Sequence, residues 1–493
     1  MSSSTADALR QSGVRPRLPP QRLRDTIMAR LRDAEANGAS RGEALQGLFP
    51  ETLLDTPTLE SVVAALLSGT NLLLIGPPGS GKTSLARAVW DLYPREAIVV
   101  EGCPVQDDAF SLIDAEFAAH HPACPACRST HGHVAYREVG DFDTAHVDAK
   151  KVKVRTTRLR EGYGFARLQG SPEVFPDYLT GAINLTKLEE IGDPESPLVL
   201  EPGKLMQANG GVLLIDEVGK LPRGTQNVLL QALQESIVTP SKSRETFPAA
   251  FVCVATSNVD DLDVIEAPLL GRFTSVFVGF NEDHDKNRAV VDMGIKDAAL
   301  TIPPMVREAT VHLIARWRKT AGDAPDMSEV ASNRGMLDIL RRAEARALMR
   351  HDDLVSLDDL RQGAQEGMIG RIRGRSAEGY HENRAAVEAF LDSHFDASVG
   401  EACERLWCRF QTTTLEDDKA EGARTASEAI AAAKDDKRLA AALKGDASAA
   451  KLARFFTHLD SHDVPARDAE ARTRAARELL ATMVARGTFE ANA

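Results

Sequence analysis

The chain has 493 residues, of which 43% are hydrophobic and 27% charged, so it can bury a sizeable core and is not globally disordered. Its formal net charge of −13 argues against broad electrostatic binding of nucleic acid, although a local basic groove is compatible with that total. Six cysteines in so long a chain do not make a disulfide scaffold, and no apolar stretch approaches the roughly 18 residues of a membrane helix. Since no signal peptide is visible, we expect a cytoplasmic protein.

The first 44 residues are expected to form an N-terminal arm that is partly disordered. Residues 1–20 are rich in Ser, Arg and Pro, which is typical of irregular segments. Residues 21–36 have helical periodicity, with Leu23, Ile27 and Leu31 on one face. A second helix is predicted to start at Thr56, because proline follows it and is favoured at the first helical position.

Five short apolar runs follow, each bounded by turn or polar residues. Runs of this length are typical of strands buried on both faces of a parallel sheet, and helical segments between several of them complete β–α units. From about residue 305 the pattern is helical to the end. We therefore predict an α/β fold with a five-stranded parallel sheet, followed by helices. The predicted strands are 72–75, 97–100, 212–215, 251–255 and 275–278.

A glycine-rich motif directly follows the first of these strands and opens a helix. It matches G-x-x-x-x-G-K-T, the pattern of a P-loop, whose backbone N–H groups surround phosphate oxygens. We expect Lys82 to reach the β- and γ-phosphates of ATP and Thr83 to ligate magnesium. The alternative is a glycine-rich turn that binds no ligand, which the strand, the helix and the Lys-Thr pair together disfavour. The predicted nucleotide-binding residues are Gly76, Pro77, Pro78, Gly79, Ser80, Gly81, Lys82, Thr83 and Ser84.

Two carboxylates emerge at the end of the predicted strand 212–215. Asp216 is placed to hold the magnesium shell, and Glu217 is placed to orient and polarise the attacking water. The alternative is a strand that ends in a solvated acidic turn. Because a P-loop precedes the pair in the same chain, the catalytic interpretation is favoured.

These motifs resemble those of AAA+ ATPases, and more narrowly those of the magnesium-chelatase I subunit and MoxR group. The resemblance covers about residues 45–370. Its most specific part is residues 201–218, similar to the chelatase pattern of E-P-G, a leucine, A-N-x-G and an acidic strand. We therefore expect an ATPase core over 45–300, a helical lid over 301–375 and a C-terminal helical domain over 376–493. The separation of Thr83 and Asp216 is long for such a core, which indicates an insertion at about 103–170.

The same resemblance suggests three further catalytic residues beside Glu217. Asn258 resembles sensor 1, the polar residue that helps to hold the water and the γ-phosphate; otherwise it is a turn residue after a strand. Arg272, in L-L-G-R-F, resembles the arginine finger that acts on a neighbouring subunit; otherwise it is a surface ion pair. Arg334 resembles sensor 2 of the lid, with Arg341 and Arg342 as less favoured substitutes.

An active site shared between subunits implies a homo-oligomeric ring, and the resemblance implies a hexamer. The expected function is an ATP-hydrolysing, chaperone-like motor that remodels or activates a partner protein, including one with a von Willebrand A-type domain. Besides a scaffold that binds ATP without turnover, which Glu217 disfavours, two alternatives stay open. One is a serine protein kinase, because the inserted segment also resembles that of PrkA-type ATPases. The other is a motor stimulated by nucleic acid through the hairpin near residues 241–244, which the acidic balance disfavours.

The insertion contains a C-x-x-C pair, Cys124 and Cys127, with histidines on both sides. Two thiolates at this spacing can bind one zinc ion, and two more ligands would complete a tetrahedron. Cys103, His131 and His133 are candidates, and we predict a structural zinc site of Cys103, Cys124, Cys127 and His131. Reduced cysteines with solvated histidines are an equally weighted alternative, and a redox pair is a third.

A segment after the insertion, residues 175–184, resembles loops that in the chelatase and MoxR group face the ring pore or a partner. Tyr178 and Leu179 are its candidate contact residues. The alternative is ordinary packing of these two side chains against the core.

Overall fold

The computed structural model describes residues 4–132, 147–194, 196–240, 245–321, 332–369, 371, 377–412, 478–479 and 481–482. The chain forms two compact units. The first unit comprises residues 1–77 and 81–279, and the second comprises 78–80 and 280–493. In the described ranges, no helix combines the length and the apolar character that crossing a bilayer requires.

All strands of the described residues lie in the first unit, and most are short. They are β1 (Ser4–Thr5), β2 (Asn71–Ile75), β3 (Glu96–Val100), β4 (Lys153–Arg158), β5 (Arg160–Glu161), β6 (Gly164–Gln169), β7 (Ala182–Ile183), β8 (Leu200–Glu201), β9 (Gly211–Asp216), β10 (Ile237–Val238), β11 (Phe247–Pro248), β12 (Phe251–Ser257) and β13 (Phe273–Phe277).

The helices of the first unit surround these strands. They are α1 (Ala6–Gln11), α2 (Pro19–Ala36), α3 (Arg41–Leu48), α4 (Thr56–Ser68), α5 (Lys82–Leu92), α6 (Ala115–His120), α7 (Pro125–His131), α8 (Pro176–Thr180), α9 (Leu185–Ile191), α10 (Lys204–Gln207), α11 (Arg223–Glu235) and α12 (Ala267–Leu270). As predicted, a helix starts at Thr56; Asp55 caps it, and Gly69 ends it in the left-handed conformation.

The central sheet of the first unit has six strands in the order β13-β2-β12-β9-β6-β5. The neighbours from β13 to β6 pair in parallel, with Val254 beside both Leu72 and Leu214, and β5 is a two-residue addition at the edge. Every residue of β9 and β12 is buried. The predicted parallel sheet is therefore confirmed, with a strand count of six instead of five.

One predicted strand belongs to a different sheet. Residues 97–100 lie in β3, which pairs antiparallel with β4, and β4 pairs with β1 in a separate three-stranded sheet. The place beside β9 is taken by β6 instead. The pattern of β6 alternates between buried and more exposed residues, so it lacks the continuous apolar run by which the other strands were recognised.

Alternate residues of each central strand enter two separate apolar clusters. Leu72, Leu74 and Leu214 belong to one cluster, together with apolar residues of α2 to α5. Leu73 and Leu213 belong to the other, together with apolar residues of α10 and α11. Because successive side chains of a strand point to opposite faces, the sheet is covered on both faces, as the buried runs predicted.

The N-terminal arm is more ordered than predicted. Thr5 caps α1, and β1 pairs with β4. Helix α2 begins at Pro19 and buries Leu23 and Ile27 completely in the cluster with α4 and α5. Because these apolar side chains have a core to enter, the described part of residues 1–44 packs as part of the first unit.

The second unit contains helices in its described part. They are α13 (His284–Gly294), α14 (Pro304–Ala321), α15 (Asn333–Met349), α16 (Leu357–Ile369) and α17 (Ala377–Thr412). Side chains from all five helices share one apolar core, with Val387, Leu391 and Val399 from α17. Along the chain, the boundary between the two units lies at residues 279–280 rather than at 300. Helix α17 shares one apolar core with the helices of the expected lid. Most of the expected C-terminal domain lies outside the described residues.

A buried ion-pair network fixes α13 against α14 in the second unit. Glu308 accepts hydrogen bonds from His284 Nε2 at 2.5 Å and from Arg288 Nη1 at 2.6 Å. Burial alone would raise the pKa of Glu308, but the hydrogen bond from His284 and the charge of Arg288 lower it to about 2. Because both oxygens of Glu308 are engaged, we interpret this group as a structural network.

The glycine at the start of β9 provides a test of the register between β9 and β6. A Cβ atom on Gly211 would lie 1.8 Å from the backbone oxygen of Gly164, so Gly211→Ala must push the two strands apart. We expect a loss of about 1–3 kcal/mol or more in stability, measured as a lower melting temperature by circular dichroism.

Gly224→Ala is the matched control, because a Cβ atom there meets nothing within 4 Å and the residue lies in α11. Alanine favours a helix over glycine, so this variant should be as stable as the native chain or slightly more so. Equal melting temperatures for the two variants would contradict the described pairing of β6 with β9.

Candidate nucleotide site

The loop between β2 and α5 has the backbone that a phosphate-binding loop requires. Gly79 and Gly81 have φ angles of 75° and 99°, which favour glycine. Gly81 is the N-cap residue of α5 and has no side chain to cap the first turn, so the N–H groups there remain available to an anion. Ser80 is buried, whereas Thr83 and Ser84 are exposed at the helix start.

Lys82 is buried, and its ammonium group is hydrogen-bonded to the first residues of this loop. Nζ donates to the backbone oxygens of Gly76 and Pro77, both at 2.7 Å, and to Asn258 Oδ1 at 3.3 Å. Burial lowers the pKa of Lys82 to about 8, and the negative charge of Asp216 opposes that shift. An ammonium in this position can bind phosphate oxygens.

Asp216 is the centre of the polar network at the end of β9. Its Oδ1 accepts hydrogen bonds from Thr83 Oγ1 and Thr256 Oγ1, both at 2.8 Å, and its Oδ2 pairs with Arg167 at 2.8 Å. The structure thus brings together the two predicted magnesium ligands, Thr83 and Asp216. Their hydroxyl and carboxylate oxygens fit Mg²⁺, which prefers hard oxygen ligands.

Glu217 follows in the left-handed conformation, with φ 56° and ψ 54°. For a residue other than glycine this conformation costs free energy, and such residues occur often at functional sites. Its N–H donates to Thr256 Oγ1 at 3.0 Å, and its carboxylate binds Gln169 at 2.9 Å and Lys220 at 2.8 Å. The Glu217 side chain is one-third exposed, so water can reach it.

The remaining predicted residues lie in three places. Asn258 directly follows β12 and contacts Lys82, so it belongs to the same polar group. Arg272 precedes β13, is exposed, and donates to Gln234 at 2.6 Å. Arg334 is exposed in the first turn of α15, in the second unit. The hairpin residues 241–244 lie outside the described residues.

Three residues of the site were missed from the sequence: Arg167, Gln169 and Thr256. Arg167 and Gln169 lie on β6, where Gln169 is in register with Asp216. Thr256 lies on β12, which is hydrogen-bonded to β9. Recognition of β6 as a neighbour of the acidic strand is the signal that would have identified Arg167 and Gln169.

The cysteines of the insertion also come together in the first unit. Cys103, Cys124 and Cys127 form a group with Asp107, in which the candidate ligand atoms all lie within 4.8 Å of one another. The predicted fourth ligand, His131, ends α7 and is not part of this group, and His133 lies outside the described residues. Burial raises the pKa of Asp107 well above its usual range.

Comparison with known proteins agrees with this geometry. Residues 68–266 match the family model described as "PrkA AAA domain". By this match and the relatives that follow, the chain is related to AAA+ ATPases. It is related to magnesium-chelatase I subunits: the "Magnesium-chelatase subunit ChlI homolog" of Methanocaldococcus jannaschii is 22% identical over 65% of this chain and 83% of that protein. The "Magnesium-chelatase 38 kDa subunit" of Cereibacter sphaeroides is 25% identical over 61% of this chain and 84% of that protein.

A further relative is the "Archaeal Lon protease" of Methanothermobacter thermautotrophicus, which is 26% identical over 63% of this chain. The alignment spans 57% of the length of that protease. The similarity therefore covers little more than half of that protease.

Thr256 offers a test of the network around Asp216 and Glu217. Thr256→Val keeps the shape of the side chain but removes the hydroxyl that donates to Asp216 and accepts from the Glu217 N–H. Asp216 keeps its hydrogen bonds from Thr83 and Arg167, but the Glu217 N–H loses this acceptor, which should cost about 1–3 kcal/mol of stability. It should also slow magnesium-dependent ATP hydrolysis, measured as phosphate release.

Thr256→Ser is the matched control, because it retains the hydroxyl group. We expect it to keep most of the stability and of the phosphate release. A Thr256→Val protein that equals the native chain in both measurements would show that the hydroxyl does not organise the site.

Proposed function

We propose that this AAA+ protein hydrolyses ATP to ADP and phosphate with magnesium as cofactor. The observation that carries the proposal is the contact of Lys82 with Asn258 and of Thr83 with Asp216, at the carboxyl ends of β2, β12 and β9. In this arrangement the P-loop and Lys82 bind the phosphates, and Thr83 and Asp216 hold magnesium. Asn258 positions the γ-phosphate and the water.

Glu217 is the proposed group that polarises the attacking water, since it directly follows Asp216 and its side chain is one-third exposed. The charge of the magnesium ion, when bound, stabilises the negative charge that develops on the phosphate oxygens. Lys82 supplies a second positive charge from the protein itself. The chain's own contribution is therefore to orient the triphosphate, the ion and the water, which is the main source of catalysis in phosphoryl transfer.

Glu217→Gln separates nucleotide binding from hydrolysis. The variant should bind ATP with an affinity close to that of the native chain but lose phosphate release by at least about 100-fold, the usual size of a general-base effect. Lys82→Ala should lose nucleotide binding, and Glu35→Gln, an exposed carboxylate on α2, should change neither property. Undiminished phosphate release by Glu217→Gln would refute the role of this residue.

We further propose that the chain works as a homo-oligomeric ring, of six subunits by resemblance, with Arg272 acting on the neighbour's ATP. Arg272 is exposed, and among the described residues its guanidinium donates to an amide oxygen, Gln234 Oε1, rather than to a carboxylate. Arg334, in the second unit, is the proposed contact to the γ-phosphate within the same chain. An arginine at the γ-phosphate neutralises developing charge.

The trans role of Arg272 can be tested by mixing subunits. Arg272→Ala and Glu217→Gln should each be inactive alone, because each lacks one part of every site. A mixture should recover part of the phosphate release, since some interfaces then combine an intact Glu217 with an intact Arg272. Arg30→Ala, an exposed arginine on α2, should remain active alone; absence of recovery in a mixture that forms mixed oligomers would contradict the shared site.

We propose that the motor remodels or activates a partner protein, including one with a von Willebrand A-type domain. The segment around α8 exposes Phe175 and Tyr178, at 70% and 55%, whereas Leu179 is fully buried. Of the two predicted contact residues, only Tyr178 is thus available to a partner. Affinity capture with the Glu217→Gln variant in the presence of ATP, compared with capture by Lys82→Ala, would identify a partner that depends on bound ATP.

The match to the PrkA AAA domain favours a second candidate function, phosphorylation of a serine of another protein. The two functions differ in the fate of the γ-phosphate. With γ-labelled ATP, hydrolysis yields only free phosphate, whereas a kinase transfers the label to serine. Label transfer that is lost in Lys82→Ala would establish the kinase.

A further inference from the structure

Three thiols and one carboxyl group converge inside the first unit, apart from the residues assigned to ATP. Cys103 follows β3, Asp107 lies four residues further on, and Cys124 and Cys127 bracket the start of α7. Cys124, Cys127 and Asp107 are buried, and Cys103 is partly buried. If these groups ionise together in an apolar cluster, a positive charge must compensate them.

The spacing of these atoms suits a metal ion. Cys103 Sγ and Cys124 Sγ are 3.7 Å apart, and the ligand atoms of the four residues lie within 4.8 Å of one another. A tetrahedral zinc ion with Zn–S bonds of about 2.3 Å places its sulfur ligands about 3.8 Å apart. A disulfide requires about 2.05 Å between the sulfur atoms, so the cysteines are separated as ligands and not bonded as a pair.

The backbone around the cysteines is arranged to stabilise thiolates. The N–H of Asp107 donates to Cys103 Sγ at 3.2 Å, and the N–H of Cys127 donates to Cys124 Sγ at 3.4 Å. Gln106 has a φ angle of 53°, in the left-handed region, and so turns the chain sharply between Cys103 and Asp107. This turn brings the carboxyl group back toward the sulfur that precedes it in sequence.

Asp107 has the geometry of a fourth ligand. The side chain is fully buried, and Oδ2 accepts a hydrogen bond of 2.7 Å from the N–H of Cys124. Oδ1 is buried and has no hydrogen-bond partner among the described residues. A bound cation would satisfy this oxygen, while the Cys124 N–H orients the carboxylate, as partners of metal-bound carboxylates commonly do.

We propose that Cys103, Asp107, Cys124 and Cys127 bind one zinc ion as a structural site. Three thiolates and one carboxylate complete a tetrahedron with no position left for water or substrate, which is the arrangement of structural zinc. The ion would tie the turn after β3 to the start of α7. Arg128, in α7, pairs with Glu245 at 2.8 Å, and Asn209 joins Val105 and His121, so this part of the insertion also contacts the segment before β9 and the region of β11.

The first measurement is the zinc content of the native chain purified under reducing conditions, by plasma mass spectrometry. We expect one zinc ion per chain, bound whether or not ATP is present. Zinc should also protect Cys103, the partly exposed thiol, from alkylation, and a chelator should remove that protection and lower the melting temperature. Two results would overturn the proposal: a folded, reduced chain that lacks zinc and takes up no added Zn²⁺, or a Cys103–Cys124 disulfide in the chain as purified.

The ligand set is tested with substitutions at Asp107 and at the histidines. Asp107→Asn should weaken zinc binding by at least about 10- to 100-fold in competition with a chelator, the loss typical of groups that only support a ligand. Asp107→Cys replaces the carboxylate by a thiolate and should retain zinc. His131→Ala and His133→Ala should retain zinc at native affinity.

Substitution by Co²⁺ gives a second readout for variants that fold poorly. The native chain should show the intense visible absorption of tetrahedral cobalt with thiolate ligands, and Asp107→Cys should shift its charge-transfer bands as a fourth sulfur joins. Loss of the metal in His131→Ala but not in Asp107→Asn would overturn the assignment of Asp107. Because these readouts need no ATP hydrolysis, they test the zinc site independently of the proposed ATPase activity.

Discussion

The contact between the ends of three parallel strands is the constraint on which the nucleotide site depends. β12 lies between β2 and β9, and parallel pairing puts all three carboxyl ends at one edge of the sheet. Residues far apart in sequence then become neighbours: Thr83 reaches Asp216, and Lys82 reaches Asn258, at hydrogen-bond distance. Without the apolar runs that bury these strands on both faces, the polar ends would have no fixed relation to one another.

The polar cluster at this edge is costly to bury, and its hydrogen bonds offset that cost. Asp216 is almost fully buried, and two hydroxyl groups and Arg167 surround its carboxylate. Glu217 adopts a strained left-handed backbone, which its hydrogen bond to Thr256 helps to hold. Gly170 is part of the same restraint, because a Cβ atom there would lie 1.9 Å from the backbone oxygen of Glu217. These contacts hold Asp216 and Glu217 in place without a ligand, which suits the proposed catalysis by positioning.

The sequence identified the elements that a local pattern of residues determines, and it missed those that depend on pairing with a strand far away in the chain. The P-loop and the acidic strand were identifiable because continuous apolar runs precede them. Strand β6 was not, because Arg167 and Gln169 interrupt its apolar pattern, and these two residues contact Asp216 and Glu217. The features that made β6 difficult to recognise are thus the ones that serve the site. For β3 the apolar run has the right length, but the prediction that it joins the central sheet was wrong, because β3 pairs with β4 in a different sheet.

Asp107 shows why a ligand set is harder to predict than a motif. The C-x-x-C pair has a recognisable spacing, and histidines next to it are the customary candidates for completing a zinc site. The carboxyl group is brought into place by a left-handed residue, Gln106, and by the Cys124 N–H, neither of which has a sequence signature. Ligand chemistry also distinguishes the two proposed metal sites. The oxygen atoms of Thr83 and Asp216 suit Mg²⁺, whereas three sulfur atoms suit Zn²⁺ and are poor ligands for Mg²⁺.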